Sequence, residues 1–130
     1  MSDQPAPAPQ QGPAWRTAGW PIPVTTAFDF PDLEVRTTIG AVSGVYATSL
    51  GLARGFTASF SALARGEVVE MTTLLAEARH HALERVVAEA QRHGGNALVA
   101  VRFDSNEVGQ GQIIEIHCYG TAVVVGARRT

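Results

Sequence analysis

Eight side chains could hold an ion or move a proton: His80, His81, His93, His117, Cys118, Asp104, Glu107 and Glu115. His80 and His81 are adjacent on a helical stretch, so their side chains diverge by about 100° and do not share a face. His81 does sit with Glu77 and Glu84, at i−4 and i+3. Such a trio can bind a metal, and it is equally an ordinary exposed pairing. His117 and Cys118 are consecutive strand residues, so they point to opposite faces and cannot grip one ion from the same strand. In a symmetric ring each would recur about the axis. An inward-facing His117 or Cys118 would then form a collar of soft ligands. A small buried core residue is the simpler reading of Cys118.

Asp104, Asn106 and Glu107 fall in NALVAVRFDSNEVGQGQ, where a short apolar strand runs into polar residues and glycines. Asp104 and Glu107 could do acid–base work if buried. Their spacing does not suit a calcium loop, and Ser105 has no nucleophile-elbow glycines. The preferred reading is structural: Asn106 to Gly111 reverse the chain, with Gly109 and Gly111 supplying backbone angles other residues avoid. Polar side chains stay wet at this edge, where a neighbouring subunit could meet them.

Composition narrows the classes of function. The 130 residues suit one domain with a modest core, which a partner subunit would enlarge. The formal net charge of −2 gives no strong attraction to nucleic acid or an anionic membrane. All ten basic residues are Arg, which excludes Schiff-base chemistry on Lys and a P-loop. One cysteine excludes an intrachain disulfide and a zinc site needing two or more cysteines from one chain. No apolar run approaches the roughly 20 residues of a membrane span, and no basic stretch leads into an apolar one at the start. A cytoplasmic location is expected.

The elements that must position these groups form an α+β pattern. Residues 1–23 read as a disordered Pro/Ala/Gln-rich tail, with Trp15 and Trp20 either anchoring it to a partner or packing locally. The domain is expected over 24–126, with a short tail at 127–130. VTTAF reads as a strand, FPDL as a turn, and LEVRTTIGAVSGVYAT as a strand dense in β-branched residues. Leu52, Phe56, Phe60 and Leu63 suggest one or two helical turns with an aromatic face that could cover an apolar pocket. The strongest element is a helix over Glu67–His93. Its stripe is Met71, Leu75, Ala78, Ala82, Val86 and Ala90, broadened by Leu74, Leu83 and Val87. Gly94-Gly95 caps it. ALVAVRF and QIIEIHCYGTAVVVGA are further strands. A helix of about 25 residues, about 37 Å at 1.5 Å per residue, is long for so small a sheet and hints at an oligomer.

Three runs then carry a resemblance: VTTAFDFPDLEVRTTIGAVSG, EARHHALERVVAEAQRHGGNALVAVRFDSNEVGQG and the closing YGTAVVV. In this order, over roughly Val24 to Val125, they resemble the YbjQ-like family, also called the "putative heavy-metal-binding" family. The resemblance implies an α+β subunit with one long helix on an antiparallel sheet, assembled as a ring-shaped (YbjQ-like/dodecin-like) homopentamer. Where relatives often carry an acidic residue after VSG, this chain has Val45.

The expectation is therefore a non-enzymatic, homo-oligomeric ring protein, most simply a pentamer. It has itself as partner and a divalent or soft metal ion as its ligand. Candidate ligands are His117 and Cys118, or His81 with Glu77 and Glu84; Asp104, Asn106 and Glu107 form a candidate loop or inter-subunit site. Two alternatives stay open: a small-molecule-binding ring with an inter-subunit pocket, and an acid–base enzyme.

Overall fold

Four elements follow one another along the chain: β1 (Leu33–Ser49), α1 (Phe60–Arg92), β2 (Ala97–Val108) and β3 (Ile113–Ala127). The computed structural model describes the backbone of residues 19–49, 60–110 and 112–129, with α1 side chains described from residue 71 onward. The strands form one antiparallel sheet in the order β1-β3-β2, with α1 laid across one face. β3, the most apolar of the three strands, is central.

The helix stripe read from the sequence is the stripe that packs. Ala78, Ala82, Val86, Val87 and Ala90 are buried against Leu98, Val101, Ile116, Cys118 and Ala122 of the sheet. Small residues on both surfaces let the two layers come close. At Gly44 of β1 they nearly touch: a Cβ there would lie 2.8 Å from Arg85 Cβ and 3.0 Å from the Ala82 carbonyl oxygen. The helix ends as expected. Gly94 adopts φ +90°, the Gly95 amide donates to the Ala90 carbonyl at 2.8 Å, and the Gly94 amide to Gln91 at 3.0 Å. Together these make a Schellman cap.

Several boundaries differ from the sequence reading. α1 begins at Phe60, two turns before Glu67, so Glu67 and Glu70 lie inside the helix and not at its positive end. The helical turns expected from Ser49 onward fall mostly outside the described residues, as do Trp15 and the Phe56/Phe60 side chains. VTTAF is not a strand. Val24 makes a single parallel bridge to Leu98, and residues 25–29 bend away. Thr25, Pro23 and Ala27 nonetheless exchange backbone hydrogen bonds with Leu98, Ala100 and Val101, which covers that part of the β2 edge. β2 runs on to Val108, so Asp104, Asn106 and Glu107 are strand residues and the reversal is confined to 109–112.

β2 also carries a bulge. Val99 pairs with Thr121 and Arg102 with Tyr119, so Ala100 and Val101 together face Gly120. Ala100 takes the left-handed angle φ +58° to make it. On the sheet face away from α1, Phe30 is buried with Ala97, Val99 and Val123. The loop carrying it is held by Arg128, within the segment read as a tail. Arg128 donates to the carbonyls of Phe30 (2.9 Å), Pro31 (2.9 Å) and Leu33 (2.7 Å).

Candidate functional site

The face opposite α1 has two unlike halves. Phe30 and its loop cover one. Over the other, no element lies among the described residues. Three rows of side chains share it: Ser43, Val45 and Ala47 from β1, Glu115, His117 and Tyr119 from β3, and Arg102, Asp104 and Asn106 from β2. The register aligns them. Val45 and Asp104 both pair with His117, one on each side. Ala47 and Asn106 flank Glu115, and Ser43 and Arg102 flank Tyr119. Directly paired residues on antiparallel strands have Cβ atoms about 4.5–5.5 Å apart, so Asp104 and His117 can touch a shared ion.

The local contacts define the rim. Asn106 Nδ2 lies 3.5 Å from Glu115 Oε1, and the His117 and Tyr119 rings are 5.1 Å apart. Arg102 turns aside. Its Nη1 donates to the Thr26 carbonyl at 2.8 Å, and its guanidinium lies 5.8 Å from the Phe28 ring, so it pins the 26–28 loop at the site's boundary.

The other candidates are dispersed. Cys118 points the opposite way from His117, as the alternation requires. It is fully buried beneath α1, and burial pushes its thiol up to about 11. Glu107 pairs with Ile114 and so lies on the α1 side of the sheet, away from Asp104. That register separates the Asp104/Glu107 pair considered for acid–base work. On the helix, His81 Nδ1 meets Glu84 Oε1 at 3.3 Å, but its ring packs on Tyr46 with centroids 4.8 Å apart. His80 stacks on Trp20, also at 4.8 Å, so Trp20 packs on its own domain. His93 bonds Glu89 at 3.0 Å; Arg92 and His93 hold that carboxyl below its ordinary value.

Among the described residues, no three His, Cys, Asp or Glu side chains gather closely enough to hold one ion. Glu77, His81 and Glu84 do not form such a group, and the Asp104–His117 pair supplies two donors. Sequence reasoning named both residues but did not join them, because the bulge that puts them on one face is not visible in the pattern. Among the described residues, no helix is long and apolar enough to cross a membrane.

Comparison with known proteins agrees with this fold. A family model described as "Putative heavy-metal-binding" matches residues 22–126. The chain is 40% identical over 105 residues to a UPF0145 protein of Burkholderia lata, covering 81% of this chain and 87% of that protein. A UPF0145 protein of Burkholderia multivorans is 41% identical over 105 residues, with 81% and 85% covered. Among solved structures, a protein of unknown function of the DUF74 family from Pediococcus pentosaceus superposes with a TM-score of 0.56 at 14% identity. That match covers 81% of this chain and 98% of the other, and at this identity it speaks for the fold alone.

Proposed function

This chain belongs to the YbjQ-like family, and from that premise we propose that it is a non-enzymatic, self-associating module that binds a borderline or heavy divalent metal ion through His117 and Asp104. The supporting observation is the register that sets Asp104 across from His117 on the uncovered half of the sheet. An imidazole and a carboxylate suit zinc, nickel or copper(II) better than calcium, which prefers oxygen alone. Two donors leave a four-coordinate ion half satisfied. In a ring the same pair recurs about the axis, and pairs from several copies converging there would complete it, which links metal binding to assembly. The assembly we propose is a closed ring, five-membered as the family resemblance implies, and its setting is the cytoplasm.

The β1 edge supports self-association. Among the described residues β1 pairs with a strand, β3, on one side only, and from Ala41 to Thr48 it carries no charge, no proline and no register shift. Long edges without such protection invite another strand. Arg85 reaches from α1 to the Val45 carbonyl and occupies one acceptor along it. Cys118 has no part in this site, since its thiolate is disfavoured and it lies in the core.

Calorimetry with zinc and nickel on chelator-treated protein tests the reading. Uptake of less than one ion per chain is expected, abolished by His117→Ala, weakened by Asp104→Asn and retained in Cys118→Ala. Val45→Asp places a second carboxylate beside His117 and should tighten binding. Undiminished uptake by His117→Ala, or none by the unaltered protein, refutes the site. A monomer by native mass spectrometry at micromolar concentration refutes the shared ion.

A further inference from the structure

An open groove of about 500 Å³ runs between the start of the described chain and the outer side of α1. One wall is the Trp20 indole, stacked on His80 with the ring planes 28° apart. Val87 and Ala88 line it, and Glu84 and Gln91 stand at its rim. Gly19 also lines it, turning the chain at φ +87°. The upstream sequence therefore meets the fold at this groove. That sequence is QPAPAPQQGP over residues 4–13, with Pro5, Pro7 and Pro9 at alternate positions and Pro13 beyond.

We propose that the groove holds residues 4–9 of the same chain as a polyproline II strand. Such a strand has no internal hydrogen bonds and leaves its carbonyls free, so its receptors pair flat aromatic walls with side-chain donors. Trp20 and His80 provide the wall. The indole N–H, an imidazole N–H and the Gln91 amide are the donor types required. The dimensions agree. From His80 to Gln91 the helix advances about 16 Å at 1.5 Å per residue, which five or six residues of polyproline II match at about 3.1 Å each. Residues 10–18 remain to double back, with a reach of up to about 30 Å. This reading is independent of the metal site on the opposite side of the sheet.

Acrylamide quenching of the full chain tests it, with Trp15→Phe so that Trp20 is the sole indole. Shielding of Trp20 is expected, unchanged from low to high micromolar protein. It should be lost when Pro5, Pro7 and Pro9 are changed together to Ser, and equally in Ala88→Arg, which fills the groove from an exposed position. Pro5, Pro7 and Pro9 lie outside residues 22–126, which hold the core residues described above, so their replacement reads docking without altering that core. Quenching that ignores the proline changes overturns the proposal. Shielding that grows with protein concentration also overturns it, because the occupant is then another copy's segment.

Discussion

Gly44→Ala tests how closely α1 is seated on the sheet. The new methyl would meet Arg85 Cβ at 2.8 Å, the Ala82 carbonyl at 3.0 Å and Val86 Cγ2 at 3.2 Å. Ordinary carbon contacts sit at about 3.5–4.0 Å, so the layers must separate locally by several tenths of an ångström. Two of the three obstructing atoms belong to the helix backbone or a Cβ, and neither can swing away. Forcing a methyl into a filled interface costs about 1–3 kcal/mol. Against this, replacing Gly by Ala narrows the unfolded ensemble and returns about 0.4–1 kcal/mol. The net destabilisation is about 1–2 kcal/mol, or a fall in Tm of about 4–8 °C for a domain of this size. Differential scanning calorimetry at fixed protein concentration measures it. Ser43→Ala, one residue away on the uncovered face, is the control and should change little. An unchanged or higher Tm for Gly44→Ala would refute the close-packed interface.

Three further outcomes follow from the same fold. Ala100→Gly should raise stability by about 0.5–1 kcal/mol, read as a higher urea midpoint at unchanged slope, because φ +58° disfavours a side chain there. Arg128→Ala removes the three carbonyl contacts holding the Phe30 loop and should cost about 2 kcal/mol, read as faster hydrogen exchange at the Leu33 amide. The Cys118 thiol is raised in the folded state from 9.0 to about 11. Its contribution is therefore intact below the unfolded thiol's value and lost as pH climbs through about 11. Cys118→Ala should flatten stability across that window, and a thiol reagent should leave the native protein unmodified at neutral pH.

Much of the architecture was legible in the residues. The 3.6-residue stripe from Met71 to Ala90 announced which side of α1 packs, and Gly94-Gly95 announced where it stops. The opposition of His117 and Cys118 followed from strand alternation alone. The start of α1 was not legible, because Gly66 and the glycines before it argue against helix. VTTAF has strand composition, yet it follows the β2 edge for one bridge before bending. Asp104 was read as part of a loop because a polar run beside glycines looks like a turn. Antiparallel pairing with Ile113 to Tyr119 extends the strand through it instead.

Ala100 and Val101 sharing one partner has an arithmetical effect on everything downstream in β2. Before that point, even-numbered residues such as Leu98 look toward α1; after it, odd-numbered ones such as Phe103 do. A single inserted position thus swaps the parity of the strand. Removing it would drive Asp104 and Asn106 beneath the helix and expose Phe103 in their place. The uncovered face owes its acidic partner for His117 to one residue's worth of extra chain, placed two positions before Arg102.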